Sequence, residues 1–153
     1  MKAWNSTFKA PTKPMVRSAW KQQSRPRAIK SRGMKGVATN TAQKSFHSAL
    51  AGLGCIACRK DGNYQPLVSI HHIDGRTKPA AHWLVLPLCA GHHQDGTGVA
   101  GLIAVHPWKT RFEEKYGMQL SLLSACHDLL NDQGYRIPEA AVAALKSIQG
   151  GQP

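Results

Sequence analysis

The segment Cys55-Ile-Ala-Cys58 is followed, after 30 intervening residues, by Cys89-Ala-Gly-His92. Each segment offers two metal-binding side chains separated by two residues, a spacing at which a tight turn can grip one ion. Together the four side chains predict a closed, tetrahedral Cys₃His zinc site of the zinc-ribbon kind. A structural zinc ion there would stabilise a unit with too small a core of its own. The alternatives are four reduced side chains without metal, and a redox pair, which the absence of a surrounding βαβ pattern disfavours.

Short β-prone segments lie between these two half-sites. Residues 67–73 and 83–88 are rich in apolar side chains and are joined by the polar turn segment 74–79. Apolar residues at helical spacing predict further helices near residues 42–53, 107–117, 120–130 and 138–149. The predicted fold class is therefore α+β: a small zinc ribbon with two antiparallel strands and flanking helices.

Basic residues are concentrated at the N terminus. The chain of 153 residues carries 20 Lys and Arg against 8 Asp and Glu, and residues 1–60 hold 13 basic side chains and no acidic one. Residues 1–40 show no sustained apolar period, which predicts a disordered basic DNA-binding arm ahead of a domain over residues 41–153. We expect a polyanionic partner, DNA or RNA before an anionic membrane surface. The arm residues expected to bind phosphates are Arg25, Arg27, Lys30, Arg32 and Lys35.

Several classes of protein do not suit this sequence. No apolar run approaches the roughly 20 residues of a membrane span, and the first thirty residues lack the apolar stretch of a secretory signal. Four unevenly spaced cysteines do not suit a disulfide miniprotein. Because the sequence shows no export signal, we expect the protein to be in the reducing cytoplasm. We also expect a monomer with no membrane partner.

Histidines are clustered, with six of the eight in the 36 residues from His71 to His106. His71 and His72 close the first predicted strand, where adjacent side chains point to opposite faces, so only one of them can normally face a given ion. A lone histidine is most simply structural, but several around one ribbon favour a second, open metal site. Such a site suits phosphodiester hydrolysis, in which a divalent ion neutralises phosphate charge and a separate imidazole accepts a proton from water. His47 lies off the apolar stripe of the first helix and is expected to be exposed.

Four segments of the sequence resemble the HNH endonuclease family and, more narrowly, the RecA-dependent recombination enhancement nucleases of bacteriophages. They are Cys55-x-x-Cys58, Val68-Ser-Ile-His-His-Ile-Asp-Gly75, Leu86-Pro-Leu-Cys-Ala-Gly-His-His93 and Val105-His-Pro-Trp-Lys-Thr-Arg-Phe-Glu-Glu-Lys-Tyr-Gly117. The resemblance implies that the zinc ribbon is part of a ββα-metal core. It also implies a metal-dependent DNA endonuclease, acting on DNA bound in a RecA filament in the cytoplasm of a bacterial host cell.

The resemblance also implies roles for individual residues. It makes His72 the general base and makes His71 and His93 ligands of a catalytic divalent ion. The family's last ligand position falls on Thr97, so His106, beyond a Gly-rich insert, is taken as the displaced third ligand. Mg²⁺ or Mn²⁺ is the expected ion during turnover, and imidazole ligands would also accept Zn²⁺ in a crystal.

Some assignments stay open at this point. His82 stands where the family has its middle Asn, so whether His82 orients the base is undecided. A non-catalytic zinc-ribbon module that binds DNA or a filament would keep the Cys₃His group and have no use for His72. A third hypothesis is a basic structural protein that coats nucleic acid through its arm alone. Elsewhere we expect Cys126 to be a packed thiol beside an exposed His127, and Trp108 to pack around the ββα core.

Overall fold

The computed structural model describes residues 36–94 and 101–150. Within those ranges, none of the helices combines the length and the apolar character needed to cross a bilayer. The elements in chain order are α1 (Thr41–Gly52), α2 (Ile56–Lys60), β1 (Ser69–His72), β2 (Val85–Leu88), α3 (Ala90–His93), α4 (Val105–Tyr116), α5 (Gln119–Asp132) and α6 (Glu139–Gln149). The described part of the chain is thus an α+β fold, as the sequence predicts.

The two strands form an antiparallel sheet, which confirms the predicted pairing. His71 lies opposite Leu86, and His72 lies opposite Val85. Because side chains alternate along a strand, His71 is buried while its neighbour His72 is only half-buried. Helix α3 begins directly after Cys89, so the order strand, strand, helix places the pairs at the end of β1 and in α3 close together.

The core surrounds β2, whose four residues are all buried. Helices α1, α2 and α5 pack against this strand. Phe46 of α1, Phe112 of α4 and Leu123 of α5 are fully buried in the same cluster. These side chains come from the apolar stripes of separate helices, so the stripes converge on one small strand and hold it in place.

Helix ends follow local sequence signals. Helix α1 begins at Thr41 because Asn40 caps it: the Asn40 Oδ1 accepts from the Gln43 backbone N–H at 2.8 Å, and the Gln43 side chain accepts from the Asn40 N–H. Helix α4 ends at Tyr116 because Gly117 follows it with a φ of 102°, a conformation that glycine adopts without strain. The segment after Cys55 differs from the predicted tight turn, since it contains the short helix α2.

Two parts of the predicted organisation lie outside the described residues. One is most of the N-terminal arm, including Arg25, Arg27, Lys30, Arg32 and Lys35, and the other is residues 95–100 of the Gly-rich insert, including Thr97. The division into an arm over 1–40 and a domain over 41–153 therefore stays a prediction. The last five residues of the predicted arm, 36–40, are described and have an irregular backbone.

Candidate metal centres

The four residues of the two Cys-x-x-Cys/His segments meet in one buried cluster. Their candidate ligand atoms all lie within 4.8 Å of one another. The N-cap position of α2 supplies Cys55 and its first turn Cys58, while Cys89 and His92 occupy the equivalent positions around α3. The two half-sites are thus carried by two short helical turns that face each other.

Distances inside this Cys₃His cluster fit a tetrahedral ion. The His92 Nδ1 lies 3.4 Å from the Cys55 Sγ and 3.3 Å from the Cys58 Sγ. The Sγ atoms of Cys58 and Cys89 are 3.7 Å apart. Zinc bonded at about 2.3 Å to sulphur and about 2.0 Å to nitrogen would space sulphur from sulphur by about 3.8 Å and sulphur from nitrogen by about 3.5 Å. The cluster can therefore hold a zinc ion with almost no rearrangement.

Further polar groups orient the histidine of this cluster. The His92 Nε2 lies 2.9 Å from the Tyr116 hydroxyl, and that hydroxyl donates to the Asp61 Oδ2 at 3.4 Å. Lys115 also donates to the same carboxylate, at 3.5 Å. A hydrogen bond on the far ring nitrogen fixes the tautomer in which Nδ1 carries the lone pair, as a ligand must.

Three other histidines form a second, more open cluster. The candidate ligand atoms of His71, His93 and His106 lie within 4.8 Å of one another, and their ring centroids are 4.9 to 5.7 Å apart. Their exposure rises from the buried His71 through the half-buried His93 to the exposed His106. The structure thus brings together the three residues that the resemblance suggested as ligands.

A backbone contact explains how His106 reaches this cluster across the insert. Gln94, directly after α3, forms an isolated parallel β-bridge with His106. The bridge returns the chain to the end of α3 next to His93. The position of the third histidine is therefore set by backbone pairing.

Hydrogen bonds orient two of the three rings. The His71 Nε2–H donates to the Gln119 Oε1 at 2.8 Å, because an amide oxygen can only accept, and the Gln119 amide donates in turn to the Glu113 Oε1 at 2.8 Å. The His93 Nδ1 lies 2.6 Å from the Ser69 Oγ. One nitrogen of each ring is occupied in this way, which leaves the other available to an ion, and the donor set fits a divalent cation.

His72 belongs to a separate network on the other face of β1. Its Nε2 lies 3.0 Å from the His82 Nδ1, and the His82 Nε2–H donates to the Val37 carbonyl at 2.6 Å. His82 is buried, with only 2% of its surface exposed. His82, which the resemblance places at the position of the middle Asn, therefore contacts the residue expected from that resemblance to be the base.

The expectation that His47 is exposed is wrong, and no pattern in the sequence indicates that this residue lies beside His72 and His82. It is half-buried, and its Nε2–H donates to the His82 carbonyl at 2.7 Å. Its ring stands edge-on to the ring of His72, with centroids 6.1 Å apart. The stripe pattern of α1 could not reveal this, because the contact joins residues 35 positions apart.

One cavity connects these groups. Its volume is about 530 Å³. His71 and His72 both line it although they leave β1 on opposite faces. The other two histidines of the open cluster line it as well, and so do His47 and Arg76. The cavity therefore presents a cluster of candidate ligands, a separate imidazole and a cation to the same space.

Burial keeps four imidazoles of this cavity neutral, those of His71, His72, His93 and His47. It lowers the pKa of His71 to about 4, and it lowers the pKa of His72 to about 4 with a further contribution from the positive charge of Arg76. Burial also lowers the pKa of His93 and of His47. Neutral rings can bind a cation or accept a proton, so these rings are available for both tasks near pH 7.

Two further expectations concern the pair Cys126 and His127 and the side chain of Trp108, and the structure contradicts part of each. Cys126 is fully buried as expected, but His127 beside it is also buried, with 6% of its surface exposed. Trp108 does not pack in the core: 45% of its surface is exposed, and the Arg111 guanidinium lies 5.5 Å from its ring centroid. Trp83 does pack in the core, against Phe46.

The chain matches a known protein family. The family model described as "Recombination enhancement, RecA-dependent nuclease" matches residues 38–131. The matched region is more than half of the chain and contains both clusters, His72 and the residues that line the cavity.

Proposed function

We propose a function from the premise that the chain belongs to the recombination enhancement, RecA-dependent nuclease family. The proposal is that it is a metal-dependent endonuclease of the HNH type that hydrolyses DNA phosphodiester bonds. The observation that carries the proposal is the shared cavity, in which the imidazole of His72 stands apart from the cluster of His71, His93 and His106.

In this proposal the Cys₃His cluster has a purely structural role. Four buried side chains with tetrahedral spacing leave no open position for a substrate. A zinc ion held there would join the turn at α2 to the turn between β2 and α3. It would thereby fix the start of α3, the short helix whose last residue is His93.

The open cluster is proposed to hold Mg²⁺ or Mn²⁺. His71, His93 and His106 are the ligands, with Gln119 and Ser69 orienting two of the rings. An ion bound there supplies positive charge to the phosphate and to the leaving 3′ oxygen. The graded exposure of the three rings leaves one side of the cluster facing solvent, where a phosphate can enter.

His72 is proposed as the general base. Its imidazole takes a proton from a water molecule as the water oxygen forms a bond to phosphorus and the bond from phosphorus to the 3′ oxygen breaks. The leaving oxygen then gains a proton from solvent. Because burial lowers the pKa of His72 to about 4, its ring is neutral and able to accept that proton at physiological pH.

DNA is the proposed substrate, bound in a RecA filament as the name of the family implies. Arg76 lies in the cavity wall, where its charge can contact a phosphate. The N-terminal arm over residues 1–40, with 10 basic side chains and no acidic one, would hold the backbone of the DNA without sequence preference. We place this activity in the cytoplasm of a bacterial host cell.

The test is the variant His72→Ala, assayed on plasmid and oligonucleotide DNA in Mg²⁺, with and without a recombinase filament and ATP. We expect cleavage to fall by about 10²- to 10⁴-fold, while zinc content and DNA affinity stay unchanged. His127→Gln, a histidine outside the cavity, serves as the control. Unchanged cleavage by His72→Ala would overturn the assignment of the base. A wild-type chain that binds zinc and DNA but never cleaves would favour the non-catalytic module.

A further inference from the structure

Residues 36–40, which we call the strap, lie beside the cavity just before α1. At its first residue the strap touches the loop between the strands: a Cβ placed on Gly36 would lie 2.6 Å from the Arg76 carbonyl oxygen. At its last residue the strap is held by the Asn40 capping box. The Val37 side chain is 65% exposed, so burial of apolar surface does little to hold the middle of the strap in place.

The polar contact of the middle of the strap is with a residue of the cavity network. The Val37 carbonyl accepts a hydrogen bond from the His82 Nε2 at 2.6 Å. A carbonyl oxygen only accepts, so the proton of neutral His82 must be on Nε2, and its Nδ1 must carry the lone pair. The capping of α1 does not require this contact.

The position of that proton decides where the proton of His72 lies. The His82 Nδ1 is 3.0 Å from the His72 Nε2. Because the His82 Nδ1 can only accept, the His72 Nε2 must donate. Neutral His72 then has its lone pair on Nδ1. This nitrogen has no hydrogen-bond partner among the described residues and can take a proton from water.

We propose that the strap is a positioning element of the catalytic site, and that the Val37 carbonyl sets the tautomers of both His82 and His72. The inference rests on the proposed role of His72 as general base. If the strap leaves, His82 can place its proton on Nδ1 and donate to His72. The proton of His72 would then occupy its Nδ1, and the ring could no longer act as a base through that atom.

Other contacts keep His82 in place when the strap is disturbed. His82 is buried, and its carbonyl accepts from the His47 Nε2–H at 2.7 Å, a bond that does not involve the strap. Loss of the Val37 contact should therefore change the position of a proton more than the position of the ring. This separates a positioning role of the strap from a purely structural one.

The experiment uses the full chain and two ways of disturbing the Val37 carbonyl. Gly36→Ala forces the strap away from Arg76, and Gly52→Ala, where a Cβ meets nothing within 4 Å, is the matched control. Replacing Ala38 by lactic acid keeps every side chain and turns the Val37 carbonyl into an ester carbonyl, a weaker acceptor. The readouts are histidine tautomers from long-range ¹H–¹⁵N NMR, and kcat and KM for cleavage of a short oligonucleotide.

We expect His82 and His72 of the wild type to carry their protons on Nε2. Both strap variants should shift His72 toward the Nδ1–H form and lower kcat by about tenfold or more, because a general base contributes about 10²- to 10⁴-fold. KM and zinc content should not change. The Nδ1–H tautomer in the wild type would overturn the inference. So would an unchanged tautomer in both variants, or a shifted tautomer with full kcat.

Failure of this inference can be told apart from failure of the proposed function. If His72→Ala is inactive while the strap variants retain full kcat, only the role of the strap is wrong. If His72→Ala cleaves normally, the proposed base is wrong whatever the tautomers are. The NMR readout does not depend on activity, so it tests the proton positions in either case.

Discussion

The Nε2 atom of His92 lies 2.9 Å from the hydroxyl oxygen of Tyr116, and the two rings meet edge-on with centroids 4.9 Å apart. The tyrosine comes from the last turn of α4, and the histidine comes from α3. The contact therefore ties the orientation of a zinc-binding ring to the packing of a helix 24 residues further along the chain.

Removing this hydroxyl should weaken zinc binding. We expect Tyr116→Phe to lower zinc affinity by about 10- to 100-fold, because His92 loses the partner that orients it. Competition with a chromophoric chelator measures the change. Tyr64→Phe, at an exposed tyrosine, is the control and should bind zinc like the wild type. Equal affinities of the two variants would mean that the contact does not orient the ligand.

Zinc binding should release protons. Burial raises the pKa of the thiols of Cys55 and Cys58, so both are protonated near pH 7 without metal, and both must lose a proton to bind zinc. We expect the release of at least two protons per ion and an apparent affinity that rises with pH. Calorimetry in buffers of different ionisation enthalpy counts the protons. A value near zero would contradict the protonated state of the free thiols.

Cleavage should be insensitive to pH over the range where ordinary histidines titrate. Burial lowers the pKa of His72 and His71 to about 4, and a bound cation would oppose protonation further. Both rings therefore stay neutral as the pH falls from 8 through 6.5, and activity is lost only as the pH approaches the lowered values. A kcat profile at saturating Mn²⁺ tests this. Half-maximal activity at pH 6.5 would show that the essential imidazole is not buried as described.

The ion at the open cluster should depend on Gln119. This residue is buried and accepts from His71 while donating to Glu113. Gln119→Met keeps the size of the side chain but removes both hydrogen bonds, so we expect the Mn²⁺ concentration for half-maximal activity to rise by about 10- to 100-fold. Gln133→Met, at an exposed glutamine, is the control. An unchanged Mn²⁺ requirement would mean that His71 is not a ligand.

Local patterns in the sequence were enough to predict the strands and the longer helices of the fold, although not the short helix α2. The β-prone segments, the helical stripes and the stop at Gly117 each reflect interactions between residues close in the chain. The paired spacings around Cys55 and Cys89 likewise identify ligands that share one turn. The α+β class and the antiparallel pairing follow from these signals.

Contacts between distant residues could not be predicted in the same way. His71 is 48 positions from Gln119, and His47 is 35 positions from the His82 carbonyl. No periodicity in the sequence connects such pairs, because tertiary packing alone brings them together. The burial of His127 has the same origin: its ring meets Phe46 of α1 edge-on, at 5.7 Å between centroids.

The bridge between Gln94 and His106 has a consequence for how this site can vary among proteins. Because the backbone pairs at both ends of the insert, the third histidine is registered against α3 whatever number of residues lies between them. Sequences could lengthen or shorten this insert over evolutionary time without displacing the histidine. For the same reason, an engineered peptide tag placed between residues 95 and 100 should leave the geometry of the cluster intact.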